Sequence, residues 1–378
     1  MVKISAFKAI KQAKRASGQI RTDLKSILEP NSLNSYPLKD YLTRFQELIN
    51  DESLYIDNEP AIYVYEHVDG ASSRRGVWVL TEIDEAALSK INEHEQTIAD
   101  HAEKIRLYKD FVGIEGQPII LTYSPEKEVA ELLDLVMNDQ QPEIYQQEDI
   151  SHRLWKVQNT LLIARFERAF EDIPTLYVAD GHHRLAASVK QENKWPQLIS
   201  TVYFSTDQLI IKEFNKFVSP DQKIVTHLLL ELINGLFEVS IIPGNIPYRP
   251  VHSHQMGMCL NGIWYKLNLK GSQNHLQDQA DTVILQEYIL KPYFKINDPR
   301  QDTRLQNFDP VKGWSKLLDA VAHTKNSVAF TLFPITADQF IEYVDQGICL
   351  PPKSTWIEPK LPYGLMIYSS LSGIVADE

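Results

Sequence analysis

Five polar residues, Asp180-Gly181-His182-His183-Arg184, stand between an apolar run and a helix-forming run, and they constrain the chain more than any other stretch. Leu176-Tyr-Val-Ala179 before them reads as a short buried strand. Leu185-Ala-Ala-Ser-Val-Lys190 after them is rich in helix formers and holds no breaker. The pentapeptide therefore lies on a strand-to-helix turn. A helix start offers unpaired N–H groups and a partial positive charge. Gly181 lets a bound group come close to the backbone. Arg184 adds a planar fork of donors suited to phosphate or carboxylate. His182 and His183 donate when oriented, or bind metal when neutral. Asp180 can orient a histidine, or hold a divalent cation together with phosphate oxygens. The set reads as a compact anion site with phosphate as the expected anion. The plainer alternative is that Asp180 caps the helix and the rest is a surface turn.

A second signal is Glu93-His94-Glu95-Gln96-Thr97, upstream of the turn. A carboxylate brought beside a phosphate site could deprotonate a substrate hydroxyl. Its alternative is a charged helix face. Arg74 and Arg75 sit in an expected turn and could line a pocket. Lys353, Ser354 and Thr355, in a proline-rich tail, could reach phosphate. His252 and His254 have no nearby ligand set. A zinc reading is weak, because adjacent histidines do not easily face one metal and no HExxH helix exists.

The charge balance narrows the partners. Lys and Arg total 38 against 50 Asp and Glu, a formal net charge of −12 over 378 residues. A broad phosphate-backbone binder usually carries the opposite sign, so nucleic acid is disfavoured. Lys8, Lys11, Lys14 and Arg15 form a small basic run, read as a solvated helix face with an anion-binding arm as the alternative. Cys259 and Cys349 make neither a disulfide framework nor a four-thiolate zinc site, and both are expected as small buried hydrophobes. The first residues lack the apolar core of a secretory signal, and no run reaches the roughly 18 apolar residues of a membrane span. A cytoplasmic protein without a membrane partner is expected. Glycine-rich nucleotide loops, protein-kinase signatures and the Gly-x-Ser-x-Gly elbow are all missing.

Along the chain, residues 61–68 and 76–83 are rich in β-branched and aromatic residues, with turn chemistry over 69–75, and predict a hairpin. Residues 83–112 are helical in composition. Residues 117–123 read as a strand. Val129, Leu132, Leu133 and Val136 make an i, i+3, i+4, i+7 stripe and predict a helix. Residues 152–169 alternate like strands. Residues 221–275, with Pro243, Pro247 and Pro250, read as a loop-rich insertion. Residues 281–290 are amphipathic. Thr336 and Gln339 form a capping box, and Gly347 closes that helix. Residues 350–364 are too rich in proline for a helix and are expected to wrap over the surface or over a site. The irregular alternation favours an α+β fold, a mixed sheet with helices, over a clean doubly wound one. Expected divisions are 1–75, a core over 76–220 with the polar turn, and a C-terminal α+β region over 221–378.

Residues 178–187, His94-Glu95-Gln96-Thr97 and residues 350–365 resemble the large bacterial and archaeal family known as domain of unknown function 1015. Residues 282–290 also look like that family's late helix. The Asp-Gly-His-His-Arg signature is similar to that of free serine kinases, which have a ParB/sulfiredoxin-like fold. The resemblance implies such a core here, elaborated by N- and C-terminal segments. In those kinases a glutamate after a histidine, just before a helix, acts on the serine hydroxyl. By resemblance Glu95 matches it, with His94 beside it, and Asp180–Arg184 match the phosphate-binding turn. The implied activity is ATP- or ADP-dependent phosphorylation of a small hydroxyl metabolite, with Mg²⁺ placed by Asp180 and with Gly181, His182, His183, Arg184, Lys353 and Ser354 on the nucleotide phosphates. The alternative is a non-catalytic nucleotide-binding or regulatory module of ParB-like fold. A metal-dependent hydrolase built on His182 and His183 is the third class. A homo-oligomer is compatible with either of the first two.

Overall fold

Two β-rich runs separated by Gly70 and Ala71 fold on each other and seed the first sheet. The computed structural model describes residues 1–13, 18–29, 38–94, 97, 99–190, 197–348 and 350–370. The chain forms two units, one of residues 1–209 with 359–378 and one of residues 210–358.

The first unit holds a mixed sheet of nine strands. In chain order they are β1 (Lys3–Ser5), β2 (Ile62–Asp69), β3 (Ser72–Ile83), β4 (Ile91–Asn92), β5 (Ile119–Tyr123), β6 (Glu143–Gln147), β7 (Ile150–Val157), β8 (Leu176–Asp180) and β9 (Gln197–Ser205). Their order is β4-β8-β5-β9-β3-β2-β7-β6, with β1 pairing β3. Strands β8 and β4 run parallel, as do β9 and β5, and the other pairs are antiparallel. The expected α+β fold with a mixed sheet is therefore present. Its helices are α1 (Leu38–Asn50), α2 (Ala99–Val112), α3 (Lys127–Asp139), α4 (Thr160–Glu171) and α5 (His182–Val189); α3, α4 and α5 pack on this sheet, whereas Tyr41 and Phe45 of α1 and Tyr108 and Val112 of α2 form a separate cluster with Leu28 and Ile367. The stripe Val129, Leu132, Leu133 and Val136 of α3 is buried against the sheet in one core with Val64, Val77 and Trp155.

Several expectations are corrected. The hairpin turn is only two residues long, because Asp69 pairs with Ser72, so Arg74 and Arg75 lie on β3 and not in a turn. Residues 152–169 are strand only to Val157. The Asn159 side chain then accepts from the N–H groups of Leu161 and Leu162 and starts α4. Lys11 lies on a short strand, Ile10–Gln12, and is 1% exposed, paired with Asp57 and Glu143 at 3.1 Å each. It is not on a solvated helix face; two carboxylates far along the chain compensate its burial. Lys14, Arg15 and Cys349 lie outside the described residues.

The second unit has an antiparallel sheet of six strands: β10 (Asn215–Val218), β11 (Phe237–Ile241), β12 (Gln255–Leu260), β13 (Ile263–Leu269), β14 (Leu305–Phe308) and β15 (Val328–Thr331). Their order is β11-β13-β12-β15-β10-β14. Residues 221–275 are thus mostly regular: a helix, α6 (Thr226–Leu236), precedes three of these strands. The clustered prolines occupy only the connection between β11 and β12. Helices α7 (Asp281–Leu285), α8 (Gly313–His323) and α9 (Ala337–Asp345) complete the unit. Thr336 and Gln339 make the expected capping box at α9, and Gly347 follows its C-cap with φ +68°. Cys259 is buried in β12. Among the described residues no helix is long and apolar enough to cross a membrane.

Candidate functional site

Parallel strands release their chains at the same end of a sheet, and this brings the two sequence signals together. Leu176 pairs with Ile91 and Tyr177 with Asn92. The residues that follow, Glu93 and His94 on one side and Val178 to Gly181 on the other, therefore leave side by side. On its second edge β8 pairs with β5, and the register slips between Val178 and Asp180. The chain then turns at Gly181, whose φ of +101° places it in the region that favours glycine. A Cβ there would stand 2.8 Å from Ile119 Cγ2 and 3.0 Å from Arg184 Nη2. Glycine is thus required twice, by backbone angle and by the guanidinium lying against it.

From the first turn of α5, Arg184 reaches back to Asp180. Its Nη2 donates to Asp180 Oδ2 at 2.7 Å, and its Nη1 donates to Gln117 Oε1 at 2.6 Å. Gln117 donates in turn to the Leu361 carbonyl at 2.5 Å. Arg184 Nε is buried without a hydrogen-bond partner. The other Asp180 oxygen, Oδ1, accepts from Lys360 Nζ. One carboxylate thus lies between two cations, and the three side chains are 20–36% exposed, so the cluster faces solvent on one side. Packing around Asp180 pushes its pKa up, but Lys360 and Arg184 more than offset this and hold it well below the usual carboxylate range. Tyr363, beside Arg184, is raised by burial, with the guanidinium opposing the rise.

His94 and His182 form the inner wall. Their rings meet nearly at right angles, with His182 Nε2 3.2 Å from His94 Nδ1. They are 3% and 7% exposed. Burial lowers the His94 pKa to about 4 and holds His182 well below the usual histidine value. Both rings are therefore neutral at pH 7. A ring nitrogen of His94 bonds the Val178 carbonyl, as a donor. The contact between two neutral rings needs one donor and one acceptor, so the tautomers of His94 and His182 are coupled. The outer histidine, His183, stands 5.4 Å from His101 of α2, centroid to centroid. Helix α2 is locked to α5 by Lys109, whose ammonium reaches Ser188 Oγ at 2.6 Å and Glu115 at 2.7 Å.

The structure thus gathers His94, Asp180, Gly181, His182, His183 and Arg184 in the first unit. Glu95 lies outside the described residues. Lys353 and Ser354 belong to the second unit. There Ser354 Oγ lies 3.1 Å from Thr282 Oγ1, and the Lys353 ammonium lies 5.7 Å from the centre of the Phe214 ring. Arg75 is paired with Asp134. Asp180 is a poor Mg²⁺ holder in this arrangement, because a cation already sits on each of its oxygens. Among the described residues no group of three or more His, Cys, Asp or Glu side chains could hold a metal. Sequence reasoning missed Gln117, Lys360 and Tyr363. The tail containing Lys360 carried the one available signal, its excess of proline with polar residues between.

With the geometry in view, the chain belongs to the family described as a protein of unknown function, DUF1015, whose model matches residues 20–287. No curated protein matches the chain. Among solved structures, the chain is similar to SbnI with a C-terminal truncation from Staphylococcus aureus, at 12% identity and a TM-score of 0.43, covering 76% of this chain and 87% of that one. It is also similar to a free serine kinase in complex with AMP, at 15% identity and a TM-score of 0.41, covering 77% and 90%. A conserved hypothetical protein from Pyrococcus furiosus matches at 13% identity and a TM-score of 0.40, covering 77% and 94%.

Proposed function

We propose that the chain is a nucleotide-dependent phosphotransferase that phosphorylates the hydroxyl of a small metabolite, with ATP or ADP as donor. The observation that carries this reading is the Asp180 cluster: Arg184 and Lys360 bring two cations to one carboxylate at the solvent-facing start of α5. A guanidinium and an ammonium beside a glycine bend and a helix start suit a phosphate better than a neutral ligand. Gly181 to Arg184 hold the nucleotide phosphates and offset the charge that develops in transfer. Glu95, next to His94 in sequence, is the general base toward the hydroxyl. His94 and His182, both neutral, give the inner wall fixed dipoles without a further charge. Mg²⁺, if it comes with the nucleotide, supplies charge neutralisation of the phosphates.

Isothermal titration with ADP and ATP tests the binding half. Arg184→Ala removes a charge-assisted contact and should weaken affinity by at least about tenfold. Equal affinity in Arg184→Ala and wild type overturns the reading. Glu95→Gln should lower turnover on a pool of hydroxyl metabolites with little change in nucleotide affinity. A second reading, a nucleotide-binding module of ParB-like fold without chemistry, draws on the same cations, since binding needs nothing more. Tight nucleotide binding with no phosphorylated product in that pool favours it.

A further inference from the structure

The second unit holds a cavity of its own. Three banks enclose it: the turn around Asn245 between β11 and β12, the Asn261-Gly262 bend between β12 and β13, and the end of α8 with the residues that follow it. Its volume of 540 Å³ falls within the range of small-molecule pockets, about 300–1,000 Å³. The banks are tied to the backbone. Asn245 Oδ1 accepts from Trp264 N at 2.8 Å, and its amide donates to the Gly262 carbonyl. Asn326 Oδ1 accepts from Ile224 N at 2.7 Å, and its amide donates to the Pro220 and Gln222 carbonyls. A ligand therefore meets walls already in place and spends little binding energy on ordering them.

The lining has two chemical parts. Cys259 and Trp264, paired across β12 and β13 and 2% and 3% exposed, form an apolar side with Leu318 and Val321 of α8. Burial pushes the Cys259 thiol up to about 11, so it is neutral there. The Trp264 indole N–H donates to no group among the described residues, although buried indoles ordinarily find an acceptor. The polar part carries charge of one sign. Lys325 is exposed, has no acidic partner among the described residues, and is the one charged side chain of the lining. In a chain with 50 acidic against 38 basic residues, a lining with a cation and no carboxylate sets the sign of what it takes. Inorganic phosphate would leave the apolar side unused. A neutral apolar molecule would leave both the ammonium and the indole N–H unused.

We propose that this cavity is a second ligand site, for a small organic carboxylate with a flat apolar body: the body covers Trp264 and Val321, and Lys325 binds the carboxylate. The site is independent of the phosphotransferase reading, since every residue it uses belongs to the second unit.

The test is isothermal titration of the full chain with 2-naphthoate and, separately, with its neutral amide 2-naphthamide, for wild type, Lys325→Met and Val321→Trp. Lys325 is exposed and Val321 half-buried, and a thermal melt of each variant checks folding. Wild type should prefer the carboxylate by at least about threefold, the scale of a partly exposed ion pair. Lys325→Met should abolish that preference and bind the amide as wild type does. Val321→Trp fills the cavity and should weaken both probes by at least about tenfold. Equal affinity of wild type for the two probes overturns the proposal, as does a preference that survives Lys325→Met. Unchanged affinities in Val321→Trp place the binding elsewhere and overturn it as well. Binding of neither probe by wild type at about 1 mM has the same result. If Val321→Trp melts well below wild type, Lys325→Met alone decides, by whether it removes the preference for the carboxylate.

Discussion

Asp180 and Asp281 stand at helix starts, one in each unit, and their surroundings drive them in opposite directions. Asp180, just before α5, has a cation on each oxygen and is held well below the usual range. Asp281, the first residue of α7, is 4% exposed and accepts only backbone N–H groups, from His254 at 2.9 Å and Phe333 at 3.4 Å. Burial pushes it up to about 7, and those two bonds offset only part of the rise. Position at a helix start does not decide the charge of a carboxylate; the arrival of full opposite charges does. Asp180 is therefore charged. Asp281 is a pin, tying the approach to β12, the exit from β15 and the start of α7.

The largest expected effect is a pH response of opposite sign in the two units. Asp281 has a folded pKa of about 7 against an ordinary 3.8, so the folded state binds the extra proton. Its stabilisation is complete below about 3.8 and is lost as pH rises through 7. His94, lowered to about 4 from 6.5, and His152, lowered to about 3, behave inversely in the first unit: their contribution is full above 6.5 and is lost as pH falls toward those values. Each tenfold separation between folded and unfolded ionisation is worth about 1.4 kcal/mol, so each unit should shift by a few kcal/mol. Hydrogen exchange at pH 5 and pH 8, corrected for intrinsic rates, reads the units separately. Protection in the second unit should fall at pH 8 and that in the first at pH 5. Asp281→Asn should flatten the second response. A wild-type second unit equally protected at both pH values breaks the contrast.

A smaller effect separates the two aspartates by substitution at one pH. Asp180→Asn leaves Arg184 and Lys360 facing an amide. These groups are partly exposed, so the cost is below that of a fully buried pair, about 2 kcal/mol. Asp281→Asn at pH 8 removes a charge that burial disfavours and should cost less than about 1 kcal/mol. Urea unfolding at pH 8 compares them, and equal losses would mean that both carboxylates serve only as backbone acceptors.

The legible parts of this chain are those where local chemistry and tertiary need agree. The run 176–190 showed its strand, bend and helix because buried apolar residues, a glycine and helix formers follow each other without conflict. The α9 capping box is a four-residue signal and needs no partner from elsewhere. Residues 221–275 misread because three prolines dominate their composition. The Asn261-Gly262 pair between apolar runs was the better guide: with φ of +52° and +78° it makes the two-residue turn joining β12 to β13. At 159 a single Asn cap switched strand to helix, and alternation alone does not register a cap. The tail was legible as an extended wrap, but the pairing of Lys360 with Asp180 was not. Asp180 lies 180 residues away, and only the return of the chain to the first unit brings the two together.

The smallest effect compares the glycines that bound two helices. Gly347 ends α9 in a local pattern: its N–H reaches the Val344 carbonyl and that of Ile348 reaches the Tyr343 carbonyl, with φ at +68°. Nothing stands within 4 Å of a Cβ placed there, so Gly347→Ala meets only the left-handed backbone penalty, about 1 kcal/mol. Gly181 carries the same kind of penalty, but a Cβ there also meets Ile119 and the Arg184 guanidinium. Gly181→Ala should therefore disturb the arginine as well as the backbone and weaken ADP binding, whereas Gly347→Ala should leave that affinity unchanged. Paired urea unfolding and titration read both quantities. Loss of ADP affinity in Gly347→Ala, or its full retention in Gly181→Ala, would separate ligand binding from the bend that opens α5.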